Sequence, residues 1–517
     1  MIKRLIEKIN STGGFNLNSE DLKRDEFLIF IISILITIVV KILLIPYNMM
    51  DMGDSATRVW NAWDWAQNPF FVLPQSGHPF WFYFMGLVFK ITHEMYYTSA
   101  ITMIILMTIA GIYLFKTTLL IADFKTALLA YFIYTLNPVI FRLNFEPYSQ
   151  QTYLAAACIM VYFMIKAIFT GKTRKYLTIA GIFAIIAASS RPEAIFVLLP
   201  YCVVMFFIKA KGAKGYIVYA LIFQVFWIAL SLAVYGVLFK TFQAADSYTG
   251  PVNIQGLSMA KRLEGFFMPY LFLVAGITFI LFYFFVKGLI YSHKRYPLIL
   301  NILLFIPVIC PALVNGTAGL KSAIYLTTHY IYLMFFFSSI YTAIGLKEFV
   351  SKYKNSVVRV AFSSIIILTC IPLSYIKEVL PEKYVHYYPK IVELVVTSED
   401  AAESRKQIKF VDENADRYPA IIFDCQFSAS SVFYIPYRTK LSDDKILISG
   451  YNVPPDEQGL SNAVRAFINN HPKGMIIFKK TETAMNRIFT EALEKQNLPA
   501  RVTKKEESDK WVCCTYE

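Results

Sequence analysis

Two carboxylates, Asp51 and Asp54, stand about a helical turn apart in a segment, 47–96, that also holds Trp60, Trp63, Trp65 and Trp81, four of the chain's six tryptophans. Burial among indoles raises a carboxyl pKa and makes the carboxylate a better proton acceptor, so either aspartate is fit to be a general base toward a hydroxyl. The plainer reading of each is a helix cap or a surface charge. Arg58 follows Asp54 by four residues, the spacing of an ordinary helical ion pair. Other charges fall where apolar sequence should exclude them. Arg191 and Glu193 flank Pro192 between apolar runs at 176–190 and 194–208. Each run is about 22 Å long as a helix, short of the ~30 Å hydrocarbon core, so this turn is expected at or below a membrane surface. There the two charges either pair to anchor the turn or wall a cavity for an anionic headgroup. Arg142 and Glu146, four apart, also flank a span end, and Lys261 and Arg262 are either interfacial anchors or contacts for a departing phosphate. His329 sits about one turn inside an apolar run, where a histidine commonly serves as an interhelical donor.

The elements that must position these residues are membrane helices. Of 517 residues, 56% are hydrophobic and 17% charged, against about 25% charged in an ordinary soluble protein. That excludes a disordered chain, a fibre and a typical cytosolic enzyme. Apolar blocks of roughly 20 residues predict eleven spans, at 27–46, 97–115, 126–141, 152–169, 176–190, 194–208, 216–238, 266–286, 297–314, 323–344 and 357–376. The first follows 26 mostly polar residues, runs too long for a signal-peptide core and lacks a small-residue cleavage site, so it is expected to stay. Tryptophan favours the membrane–water boundary, which predicts that 47–96 lies on the membrane as two short helices, 55–66 and 79–92. Ser55 caps the first and Pro79 opens the second.

Charge sets the expected orientation. Residues 1–377 hold 31 Lys+Arg and 15 Asp+Glu, a balance of +16, while 378–517 hold 19 and 21, a balance of −2. The basicity therefore belongs to the membrane half, which argues against a nucleic-acid partner. With the N-terminus inside, inner loops carry 21 Lys/Arg and outer loops eight. By the positive-inside rule, residues 1–26 are cytoplasmic, 27–376 form the transmembrane domain, and the tail is extracytoplasmic, in a cell (plasma or inner) membrane. The tail, 381–517, alternates apolar runs at 420–424, 432–437, 445–449, 474–478 and 510–515 with helical patterns at 399–414, 460–470 and 483–496, which predicts an α/β domain. It has no phosphate loop, catalytic triad or metal spacing and is expected to support the membrane domain or bind an acceptor. The seven cysteines are scattered without a CxxC or Cys/His pattern, so no zinc site is expected.

The order of these motifs resembles the GT-C superfamily of membrane glycosyltransferases, in its protein O-mannosyltransferase and aminoarabinose transferase branch. Asp54-Ser55-Ala56 resembles that family's Asp-Glu-Ala, and His78-Pro79-Phe80-Trp81 its His-Pro-Pro and aromatic run. Phe145-Glu146-Pro147 is similar to its Ser-Glu-Pro patch, Ser190-Arg191-Pro192-Glu193 to its Thr-Arg-Pro-Glu, and His329-Tyr330 to the Arg/His-Tyr that opens a late span. Ser55 and Phe80 depart from the pattern, and the first departure leaves Asp51 beside Asp54 as an alternative base. The resemblance covers roughly 25–345. It implies a polyprenyl-phosphate-linked sugar as donor and a glycan, lipid or protein as acceptor, joined with inversion at the outer face. It further implies phosphate contacts at Arg191, His329, Tyr330, Arg58, Lys261 and Arg262, and an acceptor and sugar cavity lined by Trp60, Trp63, His78, Glu146 and Glu193. With a monophosphate donor neither a metal nor another cofactor is expected.

Two other classes fit a polytopic chain. A transporter or flippase of a lipid-linked saccharide commonly has repeated halves, and no internal repeat is visible. A polysaccharide polymerase or ligase usually keeps its large outer loop late in the chain, whereas here it is first.

Overall fold

The computed structural model describes residues 22–45, 53–73, 78–145, 147–169, 172–208, 210–238, 259–321, 332–353, 355–373, 399–424, 445–449, 457–480, 483–508 and 511–517. Asp51, Glu146, His329, Tyr330 and the strand expected at 432–437 lie outside them. For Asp54, Trp60, Lys261 and Arg262 the backbone alone is described.

A helix runs through each of the eleven apolar blocks. They are α1 (Arg24–Leu44), α4 (Tyr96–Ile121), α5 (Phe124–Leu136), α7 (Ser149–Phe169), α8 (Thr173–Ser190), α9 (Ala194–Ile208), α10 (Ala213–Tyr235), α11 (Met259–Arg295), α12 (Leu298–Lys321), α13 (Tyr332–Val350) and α14 (Ser356–Leu373). Among the described residues, five helices are by length and composition long and apolar enough to cross a membrane, within α1, α4, α7, α10 and α13, and shorter apolar helices accompany them. Between α1 and α4 lie α2 (Gly53–Gln67) and α3 (Phe80–Thr92), the two short helices expected in the tryptophan-rich loop. One block departs from expectation. The run 126–141 is broken at Asn137, which turns extended (φ −61, ψ 124), and a short α6 (Pro138–Leu143) follows. Pro138 causes the break, because its ring disfavours helical geometry in the residue before it.

Small residues let the helices meet closely. A Cβ built on Gly288 of α11 lies 1.8 Å from the Tyr341 carbonyl oxygen of α13, and one built on Gly345 of α13 lies 2.0 Å from the Phe284 carbonyl oxygen. Backbone thus touches backbone at this crossing, the arrangement that small residues permit in lipid. Buried phenols take carbonyl partners on other helices: Tyr134 donates to Met107 (2.6 Å) and Tyr201 to Leu303 (2.7 Å). Around this core the outward faces stay apolar, with Leu43, Ile36, Phe207, Val225 and Val360 all more than half exposed, as a lipid-facing surface requires. Lys41, only 2% exposed, stands on the inward stripe of α1 with Phe30 and Ile34.

The tail folds as α15 (Glu399–Asn414), β1 (Ile421–Asp424), β2 (Ile446–Ser449), α16 (Glu457–Asn470), β3 (Gly474–Lys479), α17 (Ala484–Lys495), β4 (Val502–Glu507) and β5 (Trp511–Tyr516). The strands make one sheet in the order β2-β1-β3-β5-β4. The first three strands run parallel, and β5 lies antiparallel to β3 and β4. Period-2 alternation divides its side chains. Ile422, Ile476, Phe478, Val512 and Cys514 pack under α16 and α17. Ile421, Phe423, Ile477, Trp511 and Cys513 face the other way, in one buried apolar cluster with Phe410 of α15 and with Val59, Ala62, Trp81 and Met85 of α2 and α3. The sheet is therefore continuous in packing with the loop that carries Asp54.

Candidate functional site

The described candidates gather at the end of the bundle where α2 and α3 sit. α2 places Arg58 one turn along from the Asp54 backbone, on the same helix face. Trp63, half-buried, packs edge-on to Phe89 of α3, with ring centres 5.9 Å apart. The two helices are in tight contact, since a Cβ on Gly86 lies 2.3 Å from the Trp65 ring and 2.9 Å from the Ala62 carbonyl oxygen. Trp65 in turn donates its indole N–H to the Phe70 carbonyl (2.9 Å), which fixes the chain as it leaves α2.

Three further elements converge on Arg58. α8 stops at Ser190 because Pro192 forces Arg191 extended (φ −147, ψ 135). Arg191 and Glu193 are then buried side by side, at 8% and 7% exposure. The guanidinium grips the carboxylate with two donors, Nε to Oε2 at 2.9 Å and Nη2 to Oε1. This is the planar, two-pronged geometry that arginine offers a carboxylate or phosphate. Pairing and anchoring are therefore real, yet they leave one guanidinium nitrogen to reach elsewhere. Arg191 Nη1 donates to the Ser149 hydroxyl at 3.2 Å, and Arg58 Nη1 donates to the same oxygen at 3.2 Å. Ser149, 1% exposed, opens α7.

His78 completes the cluster. It is 5% exposed, and its Nδ1 lies 2.6 Å from the Ala188 carbonyl oxygen on α8. A carbonyl only accepts, so Nδ1 carries the proton and Nε2 is the free acceptor of a neutral ring. Burial pushes the imidazole down to about 3; the bond to Ala188 opposes this, and the charges of Arg191 and Arg58 add to it. Phe223 and Trp227 of α10 stand beside the ring, with centres 5.5 and 5.7 Å away. His78 is thus a neutral spacer beside two guanidiniums.

Of the sequence candidates, Arg58, His78, Arg191 and Glu193 come together, and Trp63 stands in the α2–α3 packing beside them. Ser149 was missed. Its signal is the polar run Ser149-Gln150-Gln151-Thr152 at the head of an apolar helix, all four residues at most 3% exposed. Such a buried polar turn calls for internal partners. Gln151 supplies some, accepting from the Tyr148 N–H (3.2 Å) and donating to the Leu143 carbonyl (2.7 Å). Among the described residues no group of three His, Cys, Asp or Glu side chains could hold a metal.

A cationic cluster bonded through one hydroxyl, at the N-terminus of a 21-residue helix, is suited to hold an anion. Residues 74–238, which contain His78, Ser149 and Arg191, match the sequence profile of the dolichyl-phosphate-mannose-protein mannosyltransferase family. No curated protein sequence matches the chain. In fold the chain resembles ArnT from Cupriavidus metallidurans bound to undecaprenyl phosphate, with a TM-score of 0.61 at 10% identity over 94% of this chain and 98% of ArnT. The apo state of ArnT matches with a TM-score of 0.55 at 11% identity, covering 94% of this chain and 97% of that one. The oligosaccharyltransferase of Archaeoglobus fulgidus, in its apo form, matches with a TM-score of 0.50 at 14% identity, covering 88% of this chain and 69% of that one. The chain thus carries a stretch, 74–238, that matches this family's profile, inside a fold that resembles ArnT over nearly the whole length of both chains.

Proposed function

We propose that the protein transfers a sugar from a polyprenyl-phosphate donor to an acceptor hydroxyl at the outer face of a cell membrane, with inversion, and that Asp54 is the base. One observation carries the reading: two guanidiniums, Arg58 and Arg191, converge on the buried Ser149 hydroxyl, and Arg58 stands one helical turn along α2 from Asp54. A phosphate held there leaves its anomeric carbon near the start of α2. Asp54 takes the acceptor's proton, the acceptor oxygen forms a bond to that carbon, and the carbon–oxygen bond to phosphate breaks, its electron pair departing with the prenyl phosphate. Glu193 neutralises part of the cationic charge, so the site favours a monophosphate leaving group over a bare cavity anion of higher charge. The positive groups matter most as charge builds on the departing oxygen. In this reading Trp60, Trp63 and the tail line the acceptor's approach, while His329, Tyr330, Lys261 and Arg262 add contacts to the donor. The chemistry calls for no metal. ArnT's structure with undecaprenyl phosphate supports a donor of this class.

Asp54→Asn keeps size and hydrogen bonding but cannot accept the proton. Transfer by the purified protein should fall by about two to four orders of magnitude, with prenyl-phosphate binding retained. Near-normal turnover would sink Asp54 as base. A dead Asp51→Asn beside an active Asp54→Asn would move the role to Asp51. Translocation of the lipid-linked sugar without any transferred product would favour the flippase.

A further inference from the structure

The hydrogen-bond inventory of this cluster does not close. A serine hydroxyl has two acceptor positions and one donor. At Ser149 both acceptor positions are filled, by Arg58 and Arg191, because guanidiniums can only donate. Among the described residues the remaining O–H has no hydrogen-bond acceptor, although Ser149 is 1% exposed. Two cationic donors on its oxygen polarise that O–H and strengthen it as a donor. A second orphan stands nearby. The indole Nε1 of Trp227, 4% exposed, has no acceptor among the described residues, and its ring lies beside His78, which feels the charges of both arginines. Buried donors rarely go unpaired. Here two of them accompany two guanidiniums and the N-terminus of α7, a setting in which an anion is the fitting acceptor for both.

We infer that the Ser149 hydroxyl is a direct ligand of the donor's phosphate, giving its proton to a phosphate oxygen while it holds Arg58 and Arg191 together, and that the Trp227 N–H is a second neutral ligand of the same anion. The inference deepens the lipid-phosphate reading and rests on it. It adds two uncharged contacts to a site that sequence marks mainly by its charges. Neutral donors let the site grip the donor's phosphodiester, and the prenyl phosphate it becomes, without adding positive charge around the neutral His78.

The test is binding of undecaprenyl phosphate to the full-length protein in phosphatidylcholine nanodiscs, with inorganic phosphate as a parallel arm. Ser149→Ala should weaken lipid-phosphate binding by about 10- to 100-fold, the effect of losing a hydrogen bond to a charged group. Ser149→Thr, which keeps the hydroxyl, should restore most of it. Trp227→Phe leaves the arginine pair untouched and should weaken binding by about 3- to 30-fold at unchanged melting temperature, which covers the case in which Ser149→Ala fails to fold. If the wild type binds the lipid phosphate and both Ser149→Ala and Trp227→Phe bind it equally well, the inference is overturned while the donor reading stands. If inorganic phosphate binds in a Ser149-dependent way and the lipid does not, the anion site stands and the prenyl donor falls. A wild type that binds neither overturns both.

Discussion

His78 shows how one side chain can serve a charged site by staying neutral. A histidine protonated beside Arg58 and Arg191 would add a third positive charge in a place from which water is excluded. Its folded-state pKa of about 3, against 6.5 for a free imidazole, has a consequence for stability. Between those values the unfolded chain binds more protons than the folded one, so stability rises with pH across the interval, is complete above about 6.5, and is lost as pH falls toward 3. The steepest contribution is about 1.4 kcal/mol per pH unit. Melting of the detergent-solubilised protein from pH 4.5 to 7.5 should therefore show a slope that His78→Asn removes, because an amide can still donate to the Ala188 carbonyl but does not titrate. Identical pH profiles for the two proteins would mean that folding does not depress the His78 pKa, so that the ring takes up its proton in the folded protein as readily as in the unfolded chain.

At the scale of elements, the functional geometry depends on how closely α2 lies on α3. Gly86 leaves room for the Trp65 ring and the Ala62 carbonyl, and any side chain there must push α2 away. Gly86→Val should lower turnover by an order of magnitude or more through displacement of Asp54 and Arg58, while the protein still melts cooperatively. Gly345→Val, at the backbone contact between α11 and α13, should instead cost stability, about 1–3 kcal/mol, and reduce folded yield. An active Gly86→Val enzyme would show that α2 need not rest on α3. These contacts also explain what could be read in advance. Long apolar runs and tryptophan clustering announce the helices, and paired charges such as Arg191 and Glu193 announce the site, because lipid penalises both exposed polar backbone and isolated charge. Local pattern does not announce that Ser149 sits between two arginines 91 and 42 residues away, since nothing short-range encodes that meeting. Likewise β4 hides in Val502-Thr503-Lys504-Lys505-Glu506-Glu507, which looks like a solvated loop. It is an edge strand whose residues beyond Val502 are exposed, and charge on an edge protects it from pairing with other chains.

At the scale of the molecule, the two ends of the bundle differ in kind. The end with α2 and α3 holds the half-buried Arg58 and the buried Arg191, Ser149 and His78 and is continuous in packing with the tail sheet. The other end gathers lysines. There Lys347 at the end of α13 bonds Asp123 between α4 and α5 at 2.6 Å, Lys166 lies over the Tyr176 ring, and the Gly212 turn rests on Arg174. Those turns are the ones the charge count places in the cytoplasm, so the fold collects on one side what the positive-inside rule requires to be on one side. In the proposed orientation the site, with the tail, opens to the outer face, where a lipid-linked sugar is the available kind of donor. A reporter that works only outside the cytoplasm should be active when fused after Glu517 and silent when fused after Gly171. The tail's balance of −2 does not oppose export, whereas the Lys/Arg of the inner turns resist it. An active fusion at Gly171 with a silent one at Glu517 would turn the bundle over. It would put Arg191 and Asp54 on the cytoplasmic side, where nucleotide sugars are present, and the choice of a prenyl-phosphate donor would lose its physical ground.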